Sequence, residues 1–466
     1  MAISSTGVGS GLDVQSIVAQ LVAIEKQPLK QLQTKASAFQ TQLSLYGKIK
    51  SQASALGDAG ALLAGASGWN TQKSSSSNAA AVGVTAGTSA VTGALSVEVQ
   101  QLARAQSTAS VGLAASAAVG ASGNLNIELG SWSADAIPVF SVGTSVAVAI
   151  DPADTVSAIA SKINAAGAGV TATVMRDGAN ERLVLRSNST GVEAGFRVNT
   201  PADPGLAVLG ITNPSDGVGF VGQTAQDAKV KINGVAVVSG ANKMVDVVPG
   251  VTLQLNQVTT APAEITVEND LDVVQKNIQG FVDAYNALNL TLADATKYTP
   301  GTKTGGPLQG DATTLGLQNA LRSMLGSTSA GSTFSYLSDV GIERQTDGSL
   351  KINATKLTSA QQDLPNLKTL FAANNSDPLT NGFGLKVRDF SRGLVSFDGS
   401  VSNKSTALQG AISRNTKDQE RVTERASRVE VQLLKQYSAL DAQMAQLNGL
   451  NSYVTAQLAQ WNKSTG

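Results

Sequence analysis

Gly7-Val8-Gly9-Ser10-Gly11, just ahead of a helical stretch, has the composition of a phosphate-cradling dinucleotide loop. No strand precedes it and its glycine spacing departs from the fingerprint, so it reads as a flexible lead-in. Asp151, Asp154 and Asp177 could be arranged as metal ligands or as an acid/base pair, but no EF-hand spacing is present. Turn and capping roles account for them better. Cysteine and histidine are absent, which excludes Cys/His zinc sites and Ser-His or Cys-His nucleophiles. The chain carries 34 basic and 34 acidic residues, so no basic footprint points to nucleic acid. The reading is of a protein that is not an enzyme, with no cofactor and no metal. A hydrolase working through carboxylates is the remote alternative.

With chemistry set aside, apolar surface is the stronger signal. From Val422 the apolar positions run Ala426, Val429, Leu433, Tyr437, Leu440, Met444, Leu447, Leu450, Val454, Leu458 and Trp461, in steps of three or four. That mean step keeps one seam facing a partner helix. The other end answers with Val14, Ile17, Leu21 and Ile24, then Leu32, Ala36, Phe39 and Leu43. Isolated helices gain little from propensity alone, so each seam needs the opposite end of the chain or another copy. Charges are dense from Arg414 to Lys435, after which only Asp441 and Lys463 remain. Leucine, methionine, tyrosine and tryptophan among uncharged amides suit protein contact on more than one side; an ordinary antiparallel coiled coil with the N-terminal helix is the plainer reading. Trp69, Trp132 and Trp461 read as packing anchors.

The elements follow from changes of period. Asp13 is placed to cap a helix from Val14 to Lys26, and Pro28 restarts it toward Leu63. Gly57, Gly60, Gly65 and Gly68 are expected to erode that helix. Residues 4–11 are expected to be mobile in the free chain, and both termini to order only on docking. Alternation then takes over at Leu95, Val97 and Val99, with one short helix from Val156 to Ala166 and hairpins turning at 177–180 and at Asn233-Gly234. At Leu271 the helical period returns through Val274, Ile278, Phe281, Tyr285, Leu288 and Leu292. A helix from Asp311 to Leu325 and a small hairpin turning at Asp347-Gly348 come next. Leu357 to Phe371 reads as a helix broken by Pro365, Leu385 to Leu394 as a short helix, and a last helix starts near Ser405. No run of 18 apolar residues exists, so no membrane insertion is expected. A Sec-type signal is also missing, because Lys26 lies beyond an apolar stretch that Gln15, Ser16 and Gln20 interrupt.

The fold class is therefore α+β and multidomain: coiled-coil terminal helices and a helical leg domain bracket two inserted, mainly antiparallel β domains. The expected division is 1–45 with 405–466 for the terminal helices, and 46–72 with 271–404 for the leg and its hairpin. A first β domain takes 73–117 with 223–270, and a second takes 118–222 with the short helix.

This layout resembles the flagellar filament cap, or hook-associated protein 2, family. The resemblance is carried by Gly9-Ser10-Gly11-Leu12-Asp13-Val14-Gln15-Ser16-Ile17-Val18 with Glu25-Lys26-Gln27-Pro28-Leu29, by Phe281-Val282-Asp283-Ala284-Tyr285-Asn286, and by Asp347-Gly348-Ser349-Leu350. Tyr437-Ser438-Ala439-Leu440-Asp441 through Met444 to Asn451-Ser452-Tyr453-Val454 is similar to the closing helix of that family. Residues 155–191 resemble an insertion motif shared with flagellins.

The resemblance implies a secreted, extracellular protein at the flagellum tip, forming a ring of about four to six subunits through heterologous contacts. Its implied partners are flagellin, the hook–filament junction proteins, an export chaperone and the flagellar type III export apparatus. Leu12, Ile17, Leu21, Leu32, Phe39, Leu433, Tyr437, Leu440, Met444, Leu447, Leu450, Tyr453, Val454, Leu458 and Trp461 are the expected partner and oligomer contacts. A hook–filament junction protein, and an adhesin binding surface glycans through its β domains, are the alternatives.

Overall fold

The computed structural model describes residues 13–135, 138–200, 204–211 and 220–464. Two compact units result: Met1–Trp69 with Val274–Gly466, and Asn70–Val273. The class is mixed α+β, with long terminal helices packed together and antiparallel sheets between them in sequence.

In the first unit, α1 is Val14–Glu25, α2 is Gln27–Ala64, and α4 is Leu271–Thr296 after the short α3, Val156–Ala166, of the other unit. Helices α5 (Ala312–Leu325), α6 (Ala354–Gln361), α7 (Leu364–Ala372), α8 (Phe383–Val395) and α9 (Ser400–Ser464) complete it. Its core is built from helical steps: Tyr46, Ile49, Ala53, Leu56 and Leu63 of α2 meet Val274, Ile278, Phe281, Tyr285, Leu288 and Leu292 of α4. Phe371 of α7 lies edge-on to Phe281, with ring centres 6.1 Å apart. Trp69 is buried beside Phe371, and its indole N–H donates to Leu63 O at 2.7 Å. Pro365 sits in the first turn of α7, where it starts a helix after the break at residues 362–363.

Gly57 and Gly60 do not erode α2, which continues to Ala64. They let it approach α8. A Cβ at Gly57 would lie 2.8 Å from Ser391 Cβ, and one at Gly60 would lie 3.0 Å from Arg388 N and Gly384 O. The packing gained between the two helices outweighs the lower helix propensity of glycine.

The strands of Ile342–Arg344 and Leu350–Ile352 form the small hairpin. It is tied to α4 by Asn286, whose amide donates to Leu350 O at 2.9 Å and accepts from Leu350 N at 2.8 Å. The Tyr285 hydroxyl donates to Gly348 O at 3.0 Å.

The second unit holds two hydrophobic cores. One lies in a sandwich of a five-stranded sheet, ordered Gln72–Ser76, Ala263–Asn269, Gly93–Gln101, Ala228–Ile232, Val235–Ser239, and a three-stranded sheet of Lys243–Val248, Val251–Leu255 and Val82–Ala86. Val97, Val99, Val230, Met244, Leu253 and Ile265 fill it. The other core lies where α3 covers the hairpin of Val170–Asp177 and Asn180–Ser187 and the sheet of Gly195–Asn199, Gly123–Trp132 and Phe140–Ile150. Ser107–Ala109 and Leu113–Ala114 hydrogen-bond to the strand Asn180–Ser187 of this second group.

The three aspartates considered for chemistry have structural partners. Asp154 accepts from Asp151 N at 2.7 Å, and Lys162 Nζ bridges Asp154 and Asp151 at 2.5 and 2.7 Å. Asp177 pairs with Arg182 at 2.9 Å.

Candidate assembly surface

The chain termini meet along α9. Asp13 Oδ1 accepts from Ser16 N at 3.0 Å and caps α1. Lys26 then ends α1 and Pro28 sits in the first turn of α2, so the two helices follow one another with a one-residue break. Both run against α9.

Three side chains four residues apart, Val14, Val18 and Val22, are buried on α1 against Ala426, with Leu433, Leu434 and Tyr437 of α9 packed beside them. Arg425 reaches Glu25 at 2.9 Å and closes the end of this contact. Further along, Lys404 Nζ lies 2.7 Å from Asp311 Oδ2, while Tyr46 Oη donates to Asp311 Oδ1 at 2.5 Å. Thr314 adds its backbone N–H to the same Asp311 oxygen at 3.0 Å. One carboxylate at the start of α5 thus joins α2 to α9. Burial raises the Asp311 pKa, but hydrogen bonds from Lys404, Tyr46 and Thr314 outweigh it and bring the group down to about 2. The Tyr46 hydroxyl is pushed up, by burial first and then by the Asp311 carboxylate.

The seam expected on α1 is therefore rotated. Val14, Ile17, Leu21 and Ile24 do not form one covered face. Val14 is buried, Ile17 is half-buried, and Leu21 and Ile24 are 36% and 59% exposed. Val18 and Val22 take the covered positions, because an α1 straight over three turns follows a four-residue repeat as readily as a heptad. The i, i+4 spacing of the three valines was visible in the sequence; two competing stripes on one helix hid which would be covered.

Leu32 and Phe39 on α2 are half-buried, and Phe39 packs on the core of its unit. On α9, Leu433, Tyr437 and Met444 are half-buried. Leu440, Leu447, Leu450, Tyr453, Val454, Leu458 and Trp461 are exposed, Tyr453 to 62% and Trp461 to 69%. Leu12 lies outside the described residues, as does the glycine-rich segment expected to be mobile. Sequence reasoning missed the Tyr46–Asp311–Lys404 joint. Its only trace there was Asp311 at a helix start, since the three residues are far apart in the chain.

The last turns of α9 carry leucine, valine and aromatic side chains into solvent with almost no charge to solvate them. Covering a leucine or valine side chain is worth about 1.5–3 kcal/mol. A monomer gains nothing from such a stripe, which makes it the candidate docking surface of the described residues. Among the described residues no helix is long and apolar enough to cross a membrane.

These features are those of a structural protein with an apolar surface left open, rather than of a catalytic site. Comparison with known proteins identifies the family. The family models for the flagellar hook-associated protein 2 N-terminus and C-terminus match residues 10–106 and 225–449, and the flagellin hook IN motif matches 139–194. A flagellar hook-associated protein 2 of Escherichia coli strain K12 is 30% identical, over 98% of each chain. A B-type flagellar hook-associated protein 2 of Pseudomonas aeruginosa is 29% identical over 100% of this chain and 99% of its own. A crystal structure of the flagellar cap protein FliD D1-D2-D3 domains from Escherichia coli superposes with a TM-score of 0.64 at 27% identity. It covers 78% of this chain and 99% of that one. The chain belongs to the flagellar hook-associated protein 2 family, the filament cap proteins, which are structural and not enzymes.

Proposed function

We propose that this protein caps the distal end of the bacterial flagellar filament. There it forms an oligomeric ring of about four to six subunits that retains exported flagellin and promotes its polymerisation, so that the filament elongates. The observation that carries the reading is the exposed apolar stripe of α9 formed by Leu440, Leu447, Leu450, Tyr453, Val454 and Leu458.

In this reading residues 1–45 and 405–466 dock on the filament, while 46–72 and 271–404 form the leg. Residues 73–117 with 223–270 form a first β domain, and 118–222 a second, inserted one. The pairing of Ser107–Ala109 with Asn180–Ser187 argues for a border nearer Arg104 than 117. Leu12, Ile17, Leu21 and the exposed stripe of α9 are the contacts. Export runs through the flagellar type III apparatus with a chaperone, and the hook–filament junction proteins are further partners. The protein then works outside the cell, at the flagellum tip.

Removal of residues 438–466 tests the reading in a strain that depends on this protein for its filaments. Short or missing filaments with unpolymerised flagellin in the medium are expected. Filaments of normal length would overturn the role given to α9.

A further inference from the structure

The sandwich around Val97 and Val230 is lopsided, with five strands on one side and three on the other. Val235–Ser239 is an outermost strand of the larger sheet. It pairs with Ala228–Ile232 in an unshifted register and, among the described residues, with no strand on its other side. Open edges normally carry a lysine, a proline or a bulge that discourages pairing. This strand reads Val-Ala-Val-Val-Ser and has none of the three.

Val235 lies opposite the buried Ile232, hence on the core-facing side of the sheet, yet it is 65% exposed because the core stops short of it. On the other side Val238 is 61% exposed. The Thr190 hydroxyl donates to Gly240 O at 2.7 Å and holds the chain where it leaves the strand. The opposite outer strand, Gln72–Ser76, differs: it carries Lys73, 3.7 Å from Glu268, and a run of serines.

We propose that this edge is a self-pairing surface, on which Val235–Ser239 of one copy adds antiparallel to the same strand of a second copy. The occupant follows from the chemistry of the strand. Antiparallel self-pairing about Val237 sets Val237 against Val237, Ala236 against Val238 and Val235 against Ser239, so no charge is buried and none meets a like charge. That self-complementarity is what a two-fold contact requires. It is also distinct from ring closure, which needs two different faces. A single strand pair buries less area than stable interfaces do, so the contact is weak, with a dissociation constant of about 1 μM or more.

The absence of cysteine allows a clean test. Val237→Cys places one thiol at the strand centre, and directly opposite residues of an antiparallel pair fall within disulfide range. Under mild oxidation the full chain should form a covalent dimer about tenfold faster than a Val91→Cys control. Val91 is also exposed but lies outside this strand. Adding Val238→Lys should return the rate to the control value while the thermal melt stays unchanged. Equal rates for the two thiols overturn the proposal, as does a dimer indifferent to the lysine. The crosslink should persist when residues 438–466 are removed. Its loss there would assign the contact to the terminal helices and overturn the proposal, whatever the truncation does to filaments.

Discussion

The side-chain amide of Asn286 brackets the backbone of Leu350 with two hydrogen bonds, of 2.9 and 2.8 Å. It links the Phe281–Asn286 segment of α4 to the Asp347–Leu350 turn, two stretches that in the sequence could only be noted one after the other. Each is there for the other: the helix supplies the amide, and the turn supplies a strand end whose N–H and C=O have no ladder partner at that point.

Asn286→Ala should therefore leave two backbone groups of Leu350 short of a partner and cost roughly 2–3 kcal/mol. Denaturant unfolding of the purified protein measures it. An unchanged midpoint would mean that water replaces the amide.

Asp311 gives the helical unit an acid limit. Its folded pKa of about 2 lies below the ordinary carboxylate value, so its contribution is complete above that ordinary value. The contribution is then lost as pH falls through the folded value. Asp311→Asn should lower stability at neutral pH by about 2 kcal/mol and should flatten the fall in stability between about pH 4 and pH 2. Thermal melts across that range provide the comparison, and parallel curves for the two proteins would contradict it.

Gly60→Ala should weaken the crossing of α2 and α8 by roughly 1–3 kcal/mol, since the methyl meets backbone atoms at 3.0 Å that cannot rotate away. Gly47→Ala is the control. Nothing lies within 4 Å of that position, so the same methyl should be neutral or stabilising by up to about 1 kcal/mol. Chemical denaturation of both variants separates packing from propensity.

The two faces of α1 should respond differently to charge. Val18→Glu places a carboxylate on the face buried against Ala426 and should release α1 from α9, read as faster amide exchange over residues 14–25. Leu21→Glu with Ile24→Glu should leave exchange unchanged while reducing motility. Equal exchange effects from both faces would remove the distinction.

Leu447→Asp with Leu458→Asp alters only exposed positions of α9. The melting temperature should stay within about 2 °C of the parent, and filament growth should fail. Normal swimming with this double variant would place docking elsewhere.

The secondary structure was largely legible because each period is local. The α4 steps, the short α3 and the Asn233-Gly234 hairpin all appear where their residues called for them. Glycine was misread at 57 and 60, since its helix cost is local while the neighbour that rewards it is more than 300 residues away. The joint of Tyr46, Asp311 and Lys404 escaped for the same reason. A polar residue in a sequence names its possible bonds but not its partner.

By itself the sequence determined that both termini are amphipathic helices, that β structure lies between them, and that histidine and cysteine chemistry is absent. Those properties depend on residue type and on spacing within a few turns. Only the tertiary structure decided which stripe of α1 is covered and where α9 loses its cover. Burial depends on which helix arrives and in what register, and Val18 and Leu21 are equally apolar until α9 packs against one of them.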